Sequence, residues 1–232
     1  LVVNSPIGEH KETDGLENLG IRTRGETMKT IKRTVTTYIN DGFFLSLEPV
    51  DDSIRVKKLK GGSYRVGYLS VDDGAETPEE YRDGSVSLYH EHRQFENIPT
   101  GWNKERVLNA INKDDENGDE NGGDDDRDNF YFFPVTSHIH SGVVLRLDDS
   151  SSGFDVSRCG YVIVKKSEFD TEIKAKESAL NLIKSWNDYL SGEVYTIVFE
   201  HYDENRVSVG DMESVGGYYG YDYALKELEA EL

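Results

Sequence analysis

His90 and His92 stand two residues apart, and so do His138 and His140. On a β-strand that spacing turns both rings of a pair to one face. Four imidazoles meeting between two strands would hold a zinc ion tetrahedrally; the competing reading is a set of histidines that hydrogen-bond buried backbone. Cys159 is the only cysteine, and Arg158 beside it would lower its thiol pKa if both faced one way. A strand alternates its faces, so the two point apart and Cys159 reads as a small packed hydrophobe. Ser141 follows His140 but lacks the setting of a nucleophile elbow. Gly216, Gly217 and Gly220 match a phosphate loop in composition alone, without the Lys and Ser/Thr that complete the fingerprint.

The densest charge lies between Asp114 and Asp128. Nine carboxylates (Asp114, Asp115, Glu116, Asp119, Glu120, Asp124, Asp125, Asp126 and Asp128) share this segment with one cation, Arg127, giving it −8 of a formal −19. Asp115, Asn117 and Asp119 alternate like the first ligands of an EF-hand. However, Glu120 stands where the sharp turn needs Gly, and Asp126 where a bidentate Glu is usual. With three glycines and no apolar residue the segment buries nothing, and it reads as an acidic flexible loop.

The elements that must position these residues follow from periodicity. Ile31–Ile39, Phe43–Leu47, Ser53–Leu59 and Tyr64–Val71 are β-branched or aromatic runs separated by turn residues, and they predict an antiparallel meander. Thr77-Pro78-Glu79-Glu80 has the order of a capped helix start, and Ser85–His92 returns as a strand. Beyond the acidic segment, strands are expected at Phe130–Ile139 and Val143–Leu147. Gly160–Lys165 is apolar enough to be a central strand covered on both faces. Ala175, Ala179, Leu182, Ile183, Trp186 and Leu190 recur at helical spacing before Gly192. Val194–Tyr202 and Arg206–Val209 predict a strand pair, Gly217–Gly220 a turn, and Tyr221–Leu232 a short acidic helix. The fold class is therefore α+β, a mostly antiparallel sheet with one long covering helix and short helices. The organisation is an extended arm (1–28), a β-rich half (29–113), the acidic loop (114–128) and an α+β half (129–232), with 29–232 forming one compact unit.

At 232 residues and 26.3 kDa the chain can bury a real core. A pI near 4.7 excludes holding nucleic acid by bulk electrostatics, because a phosphate backbone would be repelled. No apolar run reaches the length of a membrane span and no signal segment opens the chain. A lone cysteine fits a reducing cytoplasm.

Five groups of residues, in order, carry a resemblance. They are Asp72-Asp73 with Glu76–Tyr81, Gly84 and His90; His140-Ser141-Gly142; Asp155–Gly160 leading into Tyr161–Val164; Asn187–Tyr195; and Glu213-Ser214 with Gly217–Gly220. Together they resemble a widespread family of uncharacterised proteins encoded by bacterial and archaeal viruses and proviruses. Two departures stand out: Phe154–Gly160 replaces the family's usual Trp-Asp-Ser-Gly-Gln-Val-Gly, and Gly216 stands where a Trp is common. The resemblance implies a virus-encoded origin and action on a host cell, and it brings no established activity.

Of the histidines only His90 and His140 match the family pattern, so a metal site would need a carboxylate such as Asp155. Two functions from different classes remain. One is an acidic interaction protein without a cofactor, binding a host or defence protein through a basic surface. The other is a small metal-assisted hydrolase or nucleotide-processing enzyme, using zinc or another divalent cation at His90, His140 and Asp155, with Asp72, Asp73 or Asp188 nearby.

Overall fold

A computed structural model describes residues 38–80, 84–93, 100–112, 126–139, 142–147 and 156–232, and for Tyr38–Asn40 the backbone alone. The arm read at 1–28 lies outside the described residues. The described chain is α+β, built from antiparallel sheets and one long helix. In chain order it begins with β1 (Tyr38–Asn40), β2 (Phe43–Leu45), β3 (Arg55–Lys58), β4 (Tyr64–Val71) and β5 (Val86–His90). Next come α1 (Lys104–Asn112), α2 (Asp126–Asn129), β6 (Phe130–Ile139), β7 (Val143–Arg146) and β8 (Val156–Lys165). It closes with α3 (Glu172–Ser191), β9 (Val194–Tyr202), β10 (Glu213–Tyr219) and α4 (Tyr221–Glu231).

The chain divides into two compact units, residues 1–72 with 195–232, and residues 73–194. The divisions fall at Asp72/Asp73 and Val194/Tyr195, away from the acidic segment. The cause is a long-range pairing: β4 runs antiparallel to β9 over its whole length, from Tyr64 opposite Tyr202 to Val71 opposite Tyr195.

In the first unit the sheet order is β10-β9-β4-β3. Phe43, Leu45, Val66, Tyr68, Val198 and Tyr202 form one core cluster, which seats the β1–β2 hairpin. Leu69, Tyr195, Ile197 and Phe199 form another with Ala224 and Leu228 of α4. The expected four-strand meander therefore splits. The hairpin β3–β4 forms around Gly61-Gly62, whereas β1 and β2 make a separate two-stranded sheet. Arg206–Val209 supplies only a bridge from Ser208 to Tyr202, and the true neighbour of β9 is β10. Residues Gly217–Tyr219, expected in a turn, belong to that strand.

In the second unit the order is β5-β8-β6-β7, so β8 is central, as its apolar run requires. One face packs Cys159, Val162 and Val164 against Ala175, Ala179, Leu182, Ile183 and Trp186 of α3. The other packs Ile163 and Tyr89 against Val107 of α1, beside Trp102, Phe130 and Phe132. Helix α3 begins where Thr171 accepts the Lys174 N–H at 3.3 Å, and it stops at Gly192 in the left-handed conformation. Pro134 lies inside a central strand, where its missing N–H would break a ladder, and a register shift follows at Val135/Thr136. Gly160 faces His90 across the β5–β8 pair, and a β-carbon there would collide with the Tyr89 carbonyl oxygen. Thr77–Glu80 forms a turn, in which the Glu80 N–H bonds the Thr77 carbonyl at 3.1 Å and the Thr77 hydroxyl caps nothing; the residues that would continue it as a helix, 81–83, lie outside the described residues.

Candidate functional site

His90 is 1 % exposed on β5. Its Nδ1 accepts the His92 N–H at 3.3 Å, and its ring meets Trp186 edge-on at 6.1 Å. Burial pushes the His92 imidazole below its ordinary pKa. His90 lies opposite Gly160 of β8, while His138 lies opposite Val156 on the far side of that strand. Two strand spacings across and four residues along, about 10 and 13 Å, separate the backbones. Zinc ligands sit about 2 Å from the metal, so these two strands do not bring His90 and His138 to one ion. His140 and Asp155 lie outside the described residues. Among the described residues no three His, Cys, Asp or Glu side chains converge as metal ligands would.

Most of the acidic segment (Asp114, Asp115, Glu116, Asp119, Glu120, Asp124 and Asp125) also lies outside the described residues. Asp128 is exposed on α2. Asp126 is committed within the chain: both its oxygens take hydrogen bonds of 2.8 Å from Arg106, whose guanidinium lies 3.9 Å from the Trp102 ring centroid. The hydrogen bond from Arg106 holds the Asp126 carboxyl below its ordinary pKa. Asp188 accepts from Lys184 at 2.7 Å. Asp72 accepts the Gly217 N–H at 2.9 Å, and a β-carbon on Gly216 would run into the same carboxylate and Thr196. Cys159 is buried, as a packing residue should be, and burial pushes its thiol up to about 11 while Arg158 is exposed.

Two carboxylates, the buried Glu200 and the half-buried Glu79, went unread in the sequence. In the first unit Glu200, 3 % exposed, accepts from the Tyr68 hydroxyl at 2.6 Å, the Tyr202 hydroxyl at 2.9 Å and the Ser46 N–H at 2.9 Å. The Leu47 N–H in turn bonds the Tyr68 hydroxyl at 3.1 Å, so the cluster fastens the β2 segment to the sheet. A lone Glu inside an apolar strand, two residues before a Tyr on the same face, was the available signal. In the second unit Glu79 accepts from the Leu88 N–H at 2.9 Å and from Trp186 Nε1 at 3.2 Å. Every partner in these two clusters belongs to the chain itself, which makes them clasps.

Carboxylates are spread over the exposed surface, beside exposed cations such as Lys58, Lys60, Arg146, Lys176 and Lys226. Glu48, Asp51, Asp52, Asp73, Glu76, Glu105, Glu172, Glu177, Glu193 and Asp211 are all exposed. Several cations bond the chain's own groups, in part its carboxylates. Arg55 pairs with Glu229, Lys57 and Arg65 bond carbonyls at the end of α4, Lys166 bonds the Arg127 carbonyl, and Lys174 pairs with Asp170. No family model matches this chain. No curated protein and no solved structure gives a significant match either. No helix among the described residues is long and apolar enough to cross a membrane.

Proposed function

We propose that the protein is a virus-encoded acidic interaction protein. It acts in the host cytoplasm by binding a host or defence protein and masking a basic surface that otherwise holds nucleic acid. One observation carries this reading: a formal charge of −19 on a fold that leaves many of its carboxylates exposed. A field of one sign raises the association rate with an oppositely charged partner and selects it from neutral competitors. Lys and Arg already arranged for phosphates present closely spaced cations, which is the pattern this surface complements. The seven carboxylates between Asp114 and Asp125 add to that charge wherever they sit.

Capture from host lysate at about 50 and about 200 mM salt, followed by elution with duplex DNA, tests the reading. The expected result is a basic protein retained at low salt, lost at high salt and displaced by DNA. Replacing the seven carboxylates from Asp114 to Asp125 by amides should weaken that retention. Capture of nothing basic at low salt, with a stoichiometric divalent ion in the same preparation, would overturn it in favour of the metal-assisted enzyme.

A further inference from the structure

An open sheet has two edges, and an edge strand offers backbone N–H and C=O groups for another strand to pair with. In the second unit those edges, among the described residues, are β5 and β7. Each is met by a side chain where a neighbouring strand would lie. In an antiparallel ladder successive residues turn their backbone groups alternately toward the partner strand and away from it. On β5 the Lys165 N–H bonds the Ser85 carbonyl and the Glu91 N–H bonds the Cys159 carbonyl, which leaves Leu88 facing outward. Its N–H goes to the Glu79 carboxylate at 2.9 Å. On β7 it is Leu145 that faces outward, because Asn187 of α3 takes both its groups. The Leu145 N–H donates to Oδ1 at 2.8 Å, and Nδ2 donates to the Leu145 carbonyl at 3.0 Å.

A carboxamide carries an acceptor and a donor side by side, so it can stand in for one residue of a strand. Its place is fixed by Trp186, the preceding residue, which is 1 % exposed where α3 packs on the sheet. Otherwise β7 is poorly defended. The edge strand β3 of the first unit ends on the exposed Lys57 and Lys58, a common protection of an open edge. By contrast β7 reads Val-Val-Leu-Arg, with neither lysine nor proline, and Val144 is 46 % exposed. The strand is also complementary to itself. Two copies laid antiparallel about Leu145 put Val144 of each opposite Arg146 of the other, so no like charges meet.

We infer that Asn187 is a guard residue: by filling the pairing edge of β7 it keeps the chain from joining a second copy there, β7 against β7. The formal charge of −19 also opposes self-association, and at about 150 mM salt that repulsion is screened beyond about 8 Å, so the state of the edge decides the outcome.

Sedimentation equilibrium at that salt, from about 10 to about 300 μM protein, compares the native chain with Asn187→Ala. The native chain should remain at 26.3 kDa, while the variant forms a dimer as its concentration rises. In hydrogen exchange the Leu145 amide of the variant should be open in the monomer and protected again in the dimer. Adding Val144→Lys to Asn187→Ala sets a like charge opposite each Arg146, and Val144→Glu sets an opposite one. The Glu double variant should dimerise about tenfold or more tightly than the Lys one. Val144 is exposed on the face away from α3, so neither change should move the melting curve of the monomer. Asn187→Ser, too short to bridge both groups of Leu145, repeats the comparison should the alanine variant fail to fold. Equal masses for native and variant chains at every concentration would overturn the guard. A dimer indifferent to the charge at position 144 would overturn the pairing of β7 with β7.

Discussion

Glu200 gives the sharpest energetic expectation, because each of its partners is known. Truncation by Glu200→Ala removes the acceptor for the Tyr68 hydroxyl and the Ser46 N–H. The Tyr202 hydroxyl is spared, since the Phe44 carbonyl oxygen lies 2.7 Å away. One buried donor, the Tyr68 hydroxyl, is therefore stranded, while the Ser46 N–H belongs to an exposed residue and can turn to water. At about 1–3 kcal/mol for a buried unsatisfied group, the variant should lose about 1–3 kcal/mol. Glu200→Gln should behave differently. Its carbonyl oxygen replaces Oε1, and its amide can donate to Tyr202 once that hydroxyl turns to Phe44, so the loss should stay within about 1 kcal/mol. Urea unfolding followed by circular dichroism measures both. A cycle with Tyr68→Phe isolates the pair: in the Glu200→Ala background that second change should cost less than in the native one, because only the bond from the Leu47 N–H remains to be lost. A Glu200→Ala loss below about 1 kcal/mol, or a Tyr68→Phe cost equal in both backgrounds, would refute the clasp.

Three further outcomes are expected. Trp186→Ala empties a site 1 % exposed and removes a donor from Glu79, so it should cost about 3–5 kcal/mol; an unchanged melting temperature would refute the packing of α3 on its sheet. The Tyr68 and Tyr202 phenols lie above their ordinary pKa, first through burial and then through Glu200. The unfolded chain therefore releases protons that the folded one keeps, and stability should hold to about pH 10 and fall above it. Unfolding free energies equal at about pH 9 and about pH 11 would contradict this. Cys159, with its thiol pushed up to about 11 by burial, should resist alkylation at about pH 8 until the chain unfolds; rapid labelling of the native protein would refute its burial.

Local signals carried the elements well. The stripe from Ala175 to Trp186 specified both α3 and the face it buries, and the apolar run after Gly160 specified a central strand. Asn103, which accepts the Arg106 N–H at 2.9 Å, and Val107, Ala110 and Ile111 at helical spacing could have revealed α1 as well. Pairing was harder to read, because a strand's sequence shows which face is apolar and not which distant strand lies beside it. For that reason β4–β9 and β5–β8 were not foreseen, while the β3–β4 hairpin, set by Gly61-Gly62, was. The histidine spacing hid the same information: the alternation was right, but β8 runs between the two strands that carry His90 and His138. Glu200 and Glu79 escaped notice because their partners come from remote segments.

The second unit is one unbroken stretch of chain, and it interrupts the first, whose parts are residues 1–72 and 195–232. On a ribosome the strand that Tyr64–Val71 requires is the ninth of ten, and it emerges only after the intervening unit has been made. At about 5–20 residues per second, the earlier segment waits several seconds for it. Through that interval Tyr68 and Val66 have no β9 to pair with, and Ser46 has no Glu200 to bond. Premature termination just after Val194 would therefore yield a complete insert attached to a host fold that cannot close.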